Sequence, residues 1–333
     1  MKNFRWISSL IMILILIYPI DPASAGQMST DEPSEPFNLP ELEPDRIQEI
    51  KDFLEYEGIP EVDSPPSLEN LPTEDYHPMS SLSLHGEFIP YNGSQQFNNY
   101  ESPFNVSSNF HSITNTDNRI KINSTVINPY NATAKIEILR HDDTGAMCSG
   151  SFISPTHVLT AAHCVYDAYN NSFHKAFVVL PGLNGTELPY GAYGVTNAWI
   201  TSGWSNTTPP EAGNIYLTDV VHDFAVLKVQ GNHSYELNVS EVEGEGDINA
   251  LGYPFDRSET EPNGRRLYYL FRSPGEIDSF TDGAIVHSAY VTGGQSGGPI
   301  RFGNDTVSVN STASWGPHFR TFHLNIIYNW TTL

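Results

Sequence analysis

Three short stretches of the 333-residue chain hold residue types that can carry nucleophilic chemistry when brought together. Cys148-Ser149-Gly150-Ser151-Phe152 is followed by Val158-Leu159-Thr160-Ala161-Ala162-His163-Cys164. Asp223-Phe224-Ala225-Val226-Leu227-Lys228 comes next, and Thr292-Gly293-Gly294-Gln295-Ser296-Gly297-Gly298-Pro299 lies near the end. His163, Asp223 and Ser296 thus follow one of the chain orders in which a Ser-His-Asp triad is built. A serine hydroxyl is a weak nucleophile near neutral pH and needs a base within hydrogen-bond reach. Histidine can take that proton and return it to a leaving group, and a buried aspartate fixes its tautomer. The glycines around Ser296 permit a sharp turn whose Gly294 and Ser296 N–H groups can point at one developing oxyanion.

Thr160-Ala161-Ala162-His163-Cys164 and Gly294-Gln295-Ser296-Gly297-Gly298-Pro299 resemble the trypsin/chymotrypsin superfamily of serine proteases. The resemblance implies an all-β fold of two antiparallel six-stranded β-barrels with the triad in the cleft between them. It implies His163 as general base, Asp223 as its orienter and Ser296 as nucleophile. Several runs are similar to the glutamyl-endopeptidase, or V8-like, branch: Asp117 to Thr125 with Asn128-Pro129-Tyr130, Pro181 to Gly185 with Pro189-Tyr190-Gly191, Ser202-Gly203-Trp204, and Leu251-Gly252-Tyr253-Pro254. This similarity runs from about residue 117 to 331.

Departures from the family pattern bear on activation and specificity. Trypsin-like enzymes place an aspartate before the nucleophile to pair with a new N-terminus; here Gln295 stands there, and a neutral amide cannot form that ion pair. Tyr290 stands six residues before the nucleophile, where tryptic enzymes carry an aspartate, so cleavage after Lys or Arg is disfavoured. The histidine with which the V8-like branch meets a substrate carboxylate falls on Asn310, or on Ser314 if the strand is slipped. Its hydroxyl-bearing pocket position falls on Val291. The branch's preference for Glu therefore does not carry over residue by residue, although His287 or His318 could reach the pocket.

The elements that must position these groups read as strands. From residue 101 onward, short β-type runs at Lys135–Arg140, His157–Thr160, Phe177–Leu180, Phe224–Val229, Arg266–Phe271 and Ala284–Val291 are broken by Gly, Pro and Asn. Many short strands without helical periods between them predict an antiparallel sandwich or a pair of barrels. The two cysteines, Cys148 and Cys164, flank the strand and turn that lead to His163. Two buried free thiols are the alternative, but an even count in an exported chain favours a disulfide.

The rest of the chain reads as export and maturation. Residues 1–25 have a basic start at Lys2 and Arg5, an apolar run, and Ala23-Ser24-Ala25, the pattern of a signal peptide. An uncleaved anchor is the alternative; the small-residue cleavage site decides against a stable membrane anchor. Residues 26–116 read as an acidic, partly disordered propeptide, and 117–333 as the catalytic domain. Between 26 and 100 there are 16 acids against Arg46 and Lys51, and ten of the 24 prolines. That composition predicts a flexible segment. One part of it, Asp45 to Tyr56, sets Ile47, Ile50, Phe53 and Leu54 at helical spacing, as a pro-segment helix docking on another domain would. Twelve Asn-x-Ser/Thr triplets, headed by Asn92, Asn105, Asn123, Asn131, Asn170, Asn184, Asn206, Asn232, Asn238, Asn304, Asn310 and Asn329, predict N-glycans on a secreted, extracellular protein.

Function classes fall away in turn. A net charge of −23 argues against nucleic acid as partner. No His/Cys/Asp cluster has metal-ligand spacing, so neither metal nor other cofactor is expected. The reading is a monomeric secreted serine endopeptidase with peptide or protein substrates. The alternative is a catalytically silent homologue acting as an extracellular binding glycoprotein.

Overall fold

The structure is a computed structural model; it describes residues 39–62, 77–91 and 116–333 except positions 210 and 282. The signal-peptide reading at 1–25 and the sequons at Asn92 and Asn105 lie outside the described residues.

Twelve strands make the two barrels. The first barrel uses β3 (Thr133–Leu139), β4 (Gly145–Ser154), β5 (His157–Thr160), β6 (Ala176–Pro181), β7 (Tyr193–Thr201) and β8 (Ala225–Val229). The order β8-β5-β4-β3-β6-β7 closes on itself, because β7 pairs with β8 from Val195↔Val229 to Ile200↔Ala225. The second uses β9 (Gly246–Gly252), β10 (Phe271–Thr281), β11 (Ala284–His287), β12 (Pro299–Phe302), β13 (Asp305–Val309) and β14 (Trp315–Pro317). Its order, β13-β12-β9-β10-β11-β14, runs almost closed, and Ser308 Oγ on β13 donates across the seam to Pro317 O at 2.7 Å. The strand expectations at 135–140, 157–160, 177–180 and 224–229 coincide with β3, β5, β6 and β8 to within two residues. The run at 284–291 stops at His287, because the chain then bends into the segment that leads to Ser296.

Period-two alternation explains how one strand serves two layers. On β3, Ala134, Ile136 and Ile138 enter the barrel core, while Lys135, Glu137 and Leu139 face outward. That outward face is nevertheless buried, because helix α1 (Pro44–Glu57) lies over it. Arg46 of α1 donates to both Glu137 oxygens, Nε to Oε1 at 2.9 Å and Nη2 to Oε2 at 2.6 Å. Lys135 Nζ donates to Glu137 Oε1 at 2.5 Å and sits over the Tyr268 ring. Burying two charges on a strand is tolerable only when each finds a partner, which here comes from the strand itself and from α1.

The helix matches the spacing in its sequence: Pro44 opens it, Ile50 and Leu54 are buried, and Gly58 ends it at φ +68°. A second upstream piece was not expected. Residues 77–91 add a hairpin, β1 (Ser81–Ser83) and β2 (Phe88–Ile89), to the edge of β7. Met79, Leu82 and Leu84 enter the first barrel's core cluster. The acidic, Pro-rich composition of 26–100 thus hides two ordered pieces, each held by apolar residues that the average dilutes. A C-terminal helix, α2 (Thr321–Thr331), also went unexpected; His323, Ile326, Ile327 and Trp330 line its buried face against Phe224. No helix among the described residues is long and apolar enough to cross a membrane.

A disulfide joins Cys148 on β4 to Cys164 beside His163, as the even cysteine count suggested. Closing a loop of this length stabilises by about 3 kcal/mol in the chain-entropy model. It also fixes the turn that presents the histidine.

Candidate functional site

His163 sits on a single 3₁₀ turn, Ala162–Cys164, that leaves the end of β5. Asp223 follows another 3₁₀ turn, Leu217–His222, and is fully buried. Both its oxygens meet the histidine residue: Oδ1 accepts from the His163 backbone N at 2.9 Å, and Oδ2 lies 2.8 Å from Nδ1. Ser311 Oγ donates to the same Oδ2. The carboxylate therefore fixes both the backbone and the ring of residue 163, and an Nδ1–H tautomer leaves Nε2 as the basic nitrogen.

Ser296 lies in the turn 292–298. Gln295 N donates to Thr292 O and Gly298 N to Gln295 O, both at 3.0 Å. Gly294 adopts φ +93°, and a Cβ there would stand 2.5 Å from Tyr253 O. Gly297, at φ +75°, allows the turn to press on the end of β5; a Cβ would come within 2.0 Å of Thr160 Oγ1 and 2.7 Å of Ala161 N. Only glycine meets both demands. Ser149 N on β4 donates to Ser296 O at 2.8 Å, which ties the turn to the strand that also carries Cys148. Among the described residues, the N–H groups of Gly294 and Ser296 donate to no protein acceptor, whereas those of Gln295, Gly297 and Gly298 do.

The turn has a second support. The buried Arg119 guanidinium donates to Thr292 Oγ1 at 2.7 Å, contacts Gln295 Oε1 at 3.5 Å and lies over the Tyr290 ring at 4.9 Å. It pairs with Asp117 at 2.8 Å and Asp256 at 2.6 Å. Hydrogen bonds from Arg119 hold both carboxyls below their ordinary range, Asp117 far below it. Gln295 is buried, takes Thr292 N on Oε1 at 3.1 Å and donates Nε2 to Ser273 Oγ at 3.2 Å. The neutral side chain before Ser296 is thus satisfied inside the chain.

The remaining candidate positions separate. Tyr290 is half-buried under Arg119, and Val291 joins the second barrel's core. Asn310 is buried; its Nδ2 donates to Gln295 O at 3.2 Å, and its backbone exchanges bonds with Gly297 and Gly298. It braces the turn that carries Ser296. Ser314 is half-buried, and its carbonyl accepts from His287 N at 2.8 Å. His318 Nε2 is engaged by Val242 O at 2.8 Å, under the Phe280 ring. His287 is fully buried, and burial pushes it down to about 4. Of the described sequons, Asn131 and Asn310 are buried, which closes them to glycan attachment in the folded chain.

Two residues of the site escaped the sequence reading. Ser311 stood only as the second residue of an Asn-x-Ser/Thr triplet, and Arg119 only as part of the V8-like run. A cavity of about 590 Å³ under α1, lined by Glu43, Arg46, Glu137, Arg266 and Tyr268 among others, shares no lining residue with this constellation.

Residues 148–301 match the family model described as the trypsin-like peptidase domain. Over that stretch, a little under half of its length, the chain is similar to trypsin-like peptidases. It is 28% identical over 229 residues to a glutamyl endopeptidase of Bacillus licheniformis, covering 68% of this chain and 65% of that protein. It is 27% identical over 199 residues to an extracellular metalloprotease of Bacillus subtilis, covering 55% of this chain and 60% of that protein. The chain thus spans just under two thirds of the length of these curated relatives. The solved structure of a Glu endopeptidase in complex with MPD superposes with a TM-score of 0.58 at 23% identity, over 66% of this chain and all of that one, and so shares its fold. The matched stretch begins at the disulfide-bonded Cys148 and ends on β12, inside the two barrels.

Proposed function

We propose that this chain is a secreted, N-glycosylated serine endopeptidase that cleaves peptide bonds through an acyl-enzyme, with 1–25 as export signal, 26–116 as propeptide and 117–333 as catalytic domain. The observation that carries the chemistry is the buried Asp223 carboxylate holding both backbone and ring of His163, beside a Ser296 turn whose Gly294 and Ser296 amides meet no protein acceptor among the described residues.

Ser296 Oγ attacks the scissile carbonyl while His163 Nε2 takes its proton, and the carbonyl oxygen becomes an oxyanion facing the Gly294 and Ser296 N–H groups. Asp223, with Ser311 on its Oδ2, stabilises the imidazolium that forms. The histidine then gives its proton to the leaving amine as the C–N bond breaks. Water, deprotonated by the same histidine, hydrolyses the ester, and Ser296 recovers its proton. Arg119 holds the oxyanion turn through Thr292 and Gln295, so the geometry does not await a new N-terminus.

Specificity follows from what stands near the turn. Tyr290 and Val291 supply no carboxylate for a Lys or Arg side chain. A peptide-library digest by the processed protein tests this together with the function. Cleavage is expected, with Lys and Arg poorly represented before the cut. Strict cleavage after Lys or Arg contradicts the pocket assignment, and no cleavage contradicts the function.

A further inference from the structure

We propose that residues 40–42 fill the strand edge on which the substrate must lie beside Ser296, and that the docked segment 39–62 keeps the peptidase closed to extended peptides; this rests on the endopeptidase reading above. In a β-strand the outward N–H and C=O groups recur every second residue. On β4, Ser149 N is such a group, and it is bonded to Ser296 O. The next outward amide along the same edge is that of Met147, and it donates to Pro40 O at 3.2 Å. Beyond it, Gly145 O accepts from Leu42 N at 3.1 Å, and Glu41 faces Ala146 as an antiparallel bridge. Residues 40–42 therefore form a short added strand that starts where the nucleophile turn leaves off.

An extended peptide can add as a strand to an exposed sheet edge, with main-chain hydrogen bonds supplying the affinity. A peptide whose scissile carbonyl sits on Ser296 must continue along β4 past Ser149, and the donor and acceptor it would use there are taken. The occupied edge also adjoins the oxyanion turn: a Cβ on Gly294 would stand 3.0 Å from Met147 Cε. Approach at Gly145 is equally close, since a Cβ there would meet Leu42 Cβ and Ile47 Cγ1 at 2.9 Å.

The rest of the segment is the anchor. Leu42, Ile50, Leu54 and Ile59 share one buried cluster with Met147, Val178 and Leu180 of the first barrel. Arg46 caps Glu137, Lys51 pairs with Asp143 at 3.0 Å, and Arg266 reaches back to Glu43 at 2.6 Å. Apolar contact supplies affinity and the ion pairs fix the register that lays Pro40 and Leu42 on the edge. Release exposes Lys135 and Glu137, which water can solvate, so leaving does not strand a buried charge.

The test uses two substrates on the full chain: a small acyl ester with no residues on the leaving side, and a quenched ten-residue peptide. The wild-type chain hydrolyses the ester but cleaves the peptide slowly. Leu42→Asp with Ile50→Asp undocks the segment, raises peptide cleavage by about ten-fold or more and leaves ester hydrolysis unchanged. If that pair does not fold, Arg46→Glu loosens the helix from its own side and is expected to give a smaller rise in the same direction. A synthetic peptide of residues 39–57 added to the undocked variant restores the block against the long substrate only. Equal peptide rates in docked and undocked chains overturn the inference while ester turnover keeps the peptidase reading intact. Absence of ester turnover in both overturns that reading and the inference with it.

Discussion

Ser296→Ala and His163→Ala each lower peptide turnover by about 10⁴-fold or more, and the double variant is little worse than either. The two groups act as one unit: without the hydroxyl there is nothing for the base to activate, and without the base the hydroxyl stays protonated. Folding is expected to survive both changes. Removal of the Ser296 hydroxyl leaves the 292–298 turn with its backbone bonds. Removing the imidazole leaves Asp223 with the backbone N of residue 163 and the Ser311 hydroxyl, so the buried carboxylate keeps two donors. Activity measured beside a thermal melt checks this. Retained turnover in either variant contradicts the assignment, and loss of turnover with an unchanged melt supports it.

Stability is expected to fall steeply as the pH drops from 6.5 toward 4. His157, His174 and His287 are buried, and burial pushes each down to about 4; His323 lies well below its ordinary value for the same reason. Between pH 6.5 and 4 these imidazoles bind protons in the unfolded chain but not in the folded one. Each then costs stability by up to about 1.4 kcal/mol per pH unit. Asp219 works the other way, since burial pushes it up to about 6 and the folded chain holds its proton between the ordinary carboxylate value and 6. One carboxyl against four imidazoles leaves acid destabilisation dominant. Melting curves of the Ser296→Ala chain are expected to shift steadily downward from pH 7 to 4.5. A constant melting temperature across that range contradicts the burial of these rings.

What could be read before folding was local. Thr160–Cys164 and Gly294–Pro299 place a histidine and a serine within short turns whose neighbours are their own glycines and alanines. The disulfide needed only an even count of two in a chain that reads as exported. Helix α1 was visible because Ile47, Ile50, Phe53 and Leu54 repeat within three turns. The parts that escaped are the long-range ones. Arg119 reaches Thr292 across 173 positions, and Ser311 reaches Asp223 across 88, with nothing in either neighbourhood to signal it. The hairpin at 77–91 owes its order to Trp199–Thr201 and to Trp330, whose Nε1 donates to Ser81 Oγ at 2.7 Å. Helix α2 is rich in Thr, Ile, Tyr and Trp, which favour strands, and only Phe224 and its surroundings make its buried face helical. The charges of Lys135 and Glu137 likewise become interior groups only once α1 has docked.

A fluorophosphonate probe followed by peptide mass spectrometry reports whether Ser296 is a nucleophile activated by His163. The small phosphonyl group does not need the strand edge held by residues 40–42, so labelling is expected in the full chain as well as after processing. One adduct is expected, on Ser296, absent in Ser296→Ala and strongly slowed in His163→Ala. A folded, processed protein that takes no label, or takes it on another serine, contradicts that role for Ser296.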